Sequence, residues 1–227
     1  MQSLSIRGAH VKSSPSMLRA LSFASCYVYS PGAECASSQR SRVRCSMLKS
    51  GDQRFLRICA ERVRQHACGQ SVLLDYFDPS DILVPIPSSE PRRTAAMSAT
   101  DLLAEALIRA GLGQRVWAGL VRVHSVRKSA TAPHGLRPTV QDHYASFLID
   151  RPEDFSQSGQ FLLIDDVVTK GRTLMAAAMR MHESFPSVRI RAFAMLRTLG
   201  TAPGVSRMLD PCVGQIRWRG ADVHRAP

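Results

Sequence analysis

Apolar residues recur along this chain at two spacings, one helical and one of strands. From Gln53 to Ala67 the residues Phe55, Ile58, Cys59 and Val63 return at helical intervals with Arg54, Arg57, Glu61 and Arg64 between them, and Gly69 follows as a stop. Cys59 and Cys68 read as small apolar packing residues of that helix. Ile82 to Ile86 is a short buried strand closed by Pro87 and the polar pair Ser88-Ser89. Ser98 and Asp101 have the form of a helix start, Leu102, Leu103, Ala106, Leu107 and Ala110 supply the apolar stripe, and Gly111 and Gly113 the end. Val116 to Val123 is the next candidate strand. Ser125 to Asp142 lacks any sustained period and is expected to be a long, basic, mobile loop. Phe161 to Ile164 is a continuous apolar run ending in Asp165-Asp166, Leu174 to Phe185 returns to helical spacing before Pro186, and Val188 to Arg197 alternates as a strand. Strand and helix taking turns in this way predict an α/β fold with a right-handed parallel sheet flanked by helices.

The 227-residue length suits one globular unit. The expected division is a disordered tail over 1–25, a domain over 26–200 and a C-terminal extension over 201–227. The first 33 residues hold no Asp or Glu, and scatter Arg7, Lys12 and Arg19 among serines. This composition imitates a transit peptide, but a tail, or a start placed too early with Met17 as the true one, accounts for it with fewer assumptions.

A formal charge of +12, from 30 Lys and Arg against 18 Asp and Glu, draws phosphate, nucleic acid or other anions without selecting among them. The basic residues are mostly Arg and are spread along the chain, so an Arg-rich solvated surface is the plainer reading than a dedicated nucleic-acid face. No apolar run approaches the roughly 20 residues of a membrane span. The six cysteines include no C-x-x-C pair and no zinc-type Cys/His spacing, and free thiols in a reducing cytoplasm are the expectation.

The densest chemistry lies between Phe161 and Leu174. A parallel strand ending in two carboxylates leads through Thr169-Lys170-Gly171-Arg172-Thr173 into a helix. Ligands of such sheets sit beyond the carboxyl ends of the strands, where helix N-termini present unpaired N–H groups to anions. Gly171 lets the backbone turn closely around an oxyanion, the threonines add hydroxyls, and Lys170 and Arg172 add charge. Asp165 and Asp166 are then placed to accept from two vicinal sugar hydroxyls, which together suits a ribose 5-phosphate. The P-loop pattern G-x-x-x-x-G-K-[ST] is absent.

The run F-L-L-I-D-D-V-V-T-K-G-R-T resembles the thirteen-residue signature of type I phosphoribosyltransferases. Asp81 to Pro87, followed by Arg92, Arg93 and a Leu-rich helix, is similar to the ComF-like branch of that family, as are Tyr29-Ser30-Pro31-Gly32 and Leu48-Lys49-Ser50-Gly51-Asp52. The likeness spans residues 27 to 198. It departs from the branch in lacking the preceding cysteine-rich zinc segment, and in carrying Thr94-Ala95-Ala96-Met97 where an Arg-Gly-Phe-Asn type motif is expected.

The resemblance implies a type I phosphoribosyltransferase-like fold with a flexible flap over Arg122 to Arg137. It also implies binding of 5-phosphoribosyl 1-diphosphate with Mg²⁺ carried by the substrate, and transfer of the phosphoribosyl group to a nitrogenous acceptor. Asp165, Asp166, Arg127 and Lys128 would be catalytic, with Asp165 and Asp166 the only protein groups near the Mg²⁺. Val167, Val168, Thr169, Lys170, Gly171, Arg172 and Thr173 would bind the ribose phosphate, with Ser88, Ser89, Arg92, Arg93 and Arg137 reaching the diphosphate. His124, His134 and His143 read as solvated or packing residues. Purine salvage enzymes of this fold often place a carboxylate base where Thr169 stands, which argues against hypoxanthine or guanine as acceptor. The alternatives are a non-catalytic nucleotide-sensing regulator and a ComF-like accessory factor in DNA uptake or processing. A homodimer is compatible with each.

Overall fold

In the computed structural model the described residues are 18–32, 35–92, 96–127, 137–150, 159–199 and 207–227. Arg93, Thr94, Ala95, Lys128 and His134 lie outside them. The elements in chain order are β1 (Ala20–Tyr29), α1 (Ala36–Ser50), α2 (Gln53–Ala67), β2 (Ile82–Pro85), α3 (Ala99–Arg109), β3 (Arg115–Val116), β4 (Leu120–Arg122), α4 (Val140–Ser146), β5 (Phe147–Ile149), β6 (Gln160–Val168), α5 (Arg172–Ser184), β7 (Arg189–Thr198), β8 (Leu209–Arg219) and β9 (Asp222–Ala226).

Seven strands form one sheet in the order β3-β2-β6-β7-β1-β8-β9. The first five run parallel, while β8 and β9 close the edge antiparallel. The sheet is therefore mixed and mostly parallel. Side chains alternate across β6: Phe161 and Leu163 enter the core under α4, α5 and the small β4-β5 pair, whereas Leu162 and Ile164 enter the core under α1, α2 and α3. Burial on both faces is why this strand reads as an unbroken apolar run.

The caps follow the expected chemistry. Asp52 accepts the Phe55 N–H at 2.7 Å to start α2, and Ser98 and Asp101 form a reciprocal capping box at the head of α3. The expected strand Val116 to Val123 is broken instead. After β3 the chain leaves the main sheet, and β4 pairs with β5 in a separate two-stranded hood. Trp117 at the break is buried against Phe161 and Phe185.

Three further expectations are corrected. The tail expected over 1–25 gives way at Ala20 to β1, a strand between β7 and β8. The expected extension 201–227 supplies β8 and β9 to the same sheet. Cys68 is exposed because the helix ends at Ala67, while Cys59 is buried as expected. Among the described residues no helix is long and apolar enough to cross a membrane.

Candidate functional site

From β2 the chain passes through α3 to β3 on one side, and from β6 it passes through α5 to β7 on the other. The carboxyl ends of β2 and β6 therefore flank a topological switch point, where open α/β sheets leave a crevice. Ser88-Ser89 lies past the end of β2, and Asp165-Asp166 and the turn 169–173 lie at the end of β6.

A cavity at this point is lined by Asp165, Val167, Val168, Thr169, Lys170, Gly171, Arg172, Thr173, Leu174 and Arg137. Gly171 caps α5 with φ +89°, a left-handed conformation that glycine adopts without strain. The first intrahelical acceptor is Gly171 O, used by the Met175 N–H at 2.9 Å, so the N–H groups of Arg172, Thr173 and Leu174 have no partner within the helix. Amides at a helix start beside a cavity make a cup that can hold an anion.

The two carboxylates stay in contact with one another but take different further partners. Asp166 turns toward α1 and pairs with Lys49 at 3.0 Å, whereas Asp165 lines the cup. Each accepts a neighbouring amide: Asp166 N–H donates to Asp165 at 2.9 Å and Val167 N–H to Asp166 at 2.7 Å. Desolvation first, and the nearby Asp166 second, raise the Asp165 carboxyl well above the usual range. A carboxyl held toward its neutral form can both donate to and accept from a sugar hydroxyl beside an anion without repelling it.

The cations of the cup are already engaged. Arg172 makes a two-pronged pair with Asp222 of β9, Nε at 2.7 Å and Nη2 at 2.6 Å, and also donates to Pro138 O at 2.9 Å. Lys170 reaches the same carboxylate at 3.3 Å. The Arg172 side chain and, less strongly, desolvation and the Val223 amide act on Asp222, with the net result that its carboxyl lies far below the usual range. Arg225 donates from Nε to Thr169 O at 2.7 Å, and Ile216 packs so close to Gly171 that an added Cβ would lie 2.6 Å from its Cδ1. The C-terminal hairpin is thus the outer wall of the cup. Sequence reasoning missed Asp222, Arg225 and Ile216 because nothing local marks contacts formed about fifty residues away.

The remaining expected residues are distributed around this centre. Ser88 Oγ donates to Glu90 O at 2.9 Å, the Ser88 carbonyl accepts from Arg122 Nε at 2.5 Å, and the Ser89 carbonyl accepts the Val126 N–H at 2.8 Å. Arg92 is paired with Asp101. Ser88, Arg92 and Arg122 line a second cavity of about 330 Å³, and Arg127 with Arg137, His124 and Asp142 lines a third of about 490 Å³. Arg137 borders both the cup and the third cavity. Arg122 is buried over the Phe147 ring at 4.3 Å, and desolvation lowers its guanidinium to about 10 despite the attraction of Asp165. His143, expected to be a packing or solvated residue, is buried beside Thr173.

Among the described residues no cluster of three or more His, Cys, Asp or Glu is placed to hold a metal ion. The donor set of the cup, essentially one carboxylate, fits a cation brought in by an oxygen-rich ligand and does not fit a protein-held one.

No protein-family model matches the chain, and no curated protein matches it. Solved structures that align with it include a glutamic acid mutant of an invariant aspartic acid in HPRTs, 14% identical over 69% of this chain and 74% of that one, with a TM-score of 0.34. The corresponding glutamine mutant aligns at 14% identity over 66% and 68%, TM-score 0.32. A hypoxanthine phosphoribosyltransferase mutant from Trypanosoma cruzi, in a ternary substrates complex, aligns at 14% over 69% and 74%, TM-score 0.31. At these TM-scores the likeness adds no weight, and the functional reading rests on the geometry of the cup.

Proposed function

We propose that the chain binds the ribose 5-phosphate moiety of 5-phosphoribosyl 1-diphosphate, or of a ribonucleotide, and transfers a phosphoribosyl group to a nitrogenous acceptor. One observation carries this: a single cavity at the switch point unites Asp165, the backbone of the 167–171 turn and the amides that open α5. The amides and Lys170 would take the 5-phosphate, and Asp165 a ribose hydroxyl. Mg²⁺ would arrive with the diphosphate and neutralise part of its charge. Ser88 and Arg122 beyond β2, with Arg127 and Arg137 from the flap, would face the leaving group. Holding the sugar while charge develops at its anomeric carbon is work of position and electrostatics, for which this preformed wall is suited.

The commitment of Arg92 to Asp101 and of Asp166 to Lys49 favours a second reading, a nucleotide sensor that binds without turnover. Calorimetry with ribose 5-phosphate and 5-phosphoribosyl 1-diphosphate, with and without Mg²⁺, followed by a pyrophosphate-release assay on a panel of bases, separates the two. Asp165→Asn is expected to weaken ribose 5-phosphate binding by about threefold to tenfold, the value of a hydrogen bond between neutral groups. Undiminished affinity in that variant refutes the site, and binding without pyrophosphate release selects the sensor.

A further inference from the structure

His143 is 5% exposed, one turn into α4, and belongs to neither the strand-end carboxylates nor the 169–173 turn. Its Nε2 lies 3.4 Å from Thr173 Oγ1, and its Nδ1 is buried without a hydrogen-bond partner. Thr173 lines the cup from the first turn of α5. A buried imidazole with one nitrogen on a cup hydroxyl and the other unsatisfied is not explained by packing alone.

Its protonation can be worked out from its surroundings. Burial foremost, then the Arg122 guanidinium, with Arg172 adding to them and Asp142 opposing, push the imidazole down to about 4, so the ring is neutral at ordinary pH. A neutral ring carries one N–H and one lone pair. Were the proton on Nδ1, a buried donor would face no acceptor in a wall carrying two guanidinium groups. With the proton on Nε2, the unsatisfied atom is a lone pair in a positive field, and orphaned acceptors are tolerated better than orphaned donors. Nε2 then donates to Thr173 Oγ1. A threonine deeper in a helix turns its own proton to the carbonyl four residues back, but Thr173 stands in the first turn, where the first helical acceptor is Gly171 O and no helical carbonyl lies behind it. The Thr173 proton is left to point into the cup.

We propose that His143 is a positioning residue of the cup, its Nε2–H holding the Thr173 hydroxyl so that the hydroxyl proton meets a bound phosphate oxygen. The inference rests on the phosphate reading above. The imidazole touches no ligand; it acts through Thr173.

Two measurements test it. In the wild-type chain, long-range ¹⁵N–¹H correlation spectra, assigned by loss of the signal in His143→Gln, read which ring nitrogen bears the proton; Nε2 is expected. In calorimetry with ribose 5-phosphate, His143→Ala is expected to weaken binding about tenfold, the value of a hydrogen bond to a charged group. His143→Gln, whose amide N–H replaces Nε2–H, is expected to stay within about threefold of wild type. Thr173→Val should match His143→Ala, and the double variant should lose no more than either, because both act on one hydroxyl. A proton on Nδ1, full affinity in His143→Ala, or losses that add independently each overturn the inference while leaving the cup intact. If wild type does not bind ribose 5-phosphate, the phosphate reading of the cup falls and this inference with it.

Discussion

Replacing Gly171 by alanine places one carbon where the turn of the cup meets the C-terminal hairpin. At φ +89° an L-residue is strained by about 1–2 kcal/mol. The new Cβ would also stand 2.6, 2.8 and 2.9 Å from Cδ1, Cγ1 and Cγ2 of Ile216. Two of those atoms are attached directly to the Ile216 Cβ and the residue is fully buried, so no change at the side-chain tip relieves the contact. Overpacking of this kind costs about 1–3 kcal/mol. The two effects together predict a loss of about 2–5 kcal/mol, measured by urea unfolding with an unchanged m-value. Ile216→Ala alone should cost about 2–5 kcal/mol through its cavity. Combined with Gly171→Ala, it should recover the steric part, leaving the double variant about 1–3 kcal/mol more stable than the sum of the singles. Gly171→Ala within about 0.5 kcal/mol of wild type, or strictly additive losses, would refute the close approach of turn and hairpin.

Asp222→Asn should destabilise the chain by about 1 kcal/mol at neutral pH, a modest figure because the pair with Arg172 is partly solvated. The folded state depresses this carboxyl below its unfolded value. Its contribution is therefore complete above about pH 4 and lost on further acidification, so the gap between wild type and variant in urea midpoints should close toward low pH. Arg191→Met leaves Asp81, fully buried and paired at 2.6 Å, without its cation, and should cost about 3–5 kcal/mol in thermal or urea unfolding. Arg191→Met combined with Asp81→Asn should cost less than the single change, since no charge then remains buried alone.

Where burial and local chemistry coincide, the sequence was readable. Gln53–Ala67 shows its stripe openly, Ser98 and Asp101 announce α3, and the apolar run of β6 reports a strand covered twice. Helix α1 was not legible because its inward face consists of Ser38, Ser41, Cys45 and Leu48. Those serines satisfy themselves locally, Ser41 Oγ donating to Ser38 O at 2.7 Å and accepting the Ser30 N–H at 3.1 Å, so burial carries no apolar signature. Strand β1 carries Leu21, Phe23, Tyr27 and Val28, but the acid-free, serine-scattered stretch around it read as a tail. The turn 169–173 was legible as a glycine-hinged entry into a helix. The adjacency of Asp165 and Asp166 was legible, but the pairing of Asp166 with Lys49 of α1 was not. The counter-charge from Asp222 was out of reach, since pairing across fifty residues leaves no local mark.

The position of β1 has a consequence for how the chain is made. Its residues leave the ribosome well before its two neighbours in the sheet, β7 and β8, which begin at Arg189 and Leu209. Until those strands follow, Phe23, Cys26 and Val28 have no partner strand on either side. Pairing over such separations is slow, since the loop must close before the contact stabilises anything. The nascent domain therefore waits for its last strands to be trapped in order, and the cup, walled by those strands, is finished at the same moment.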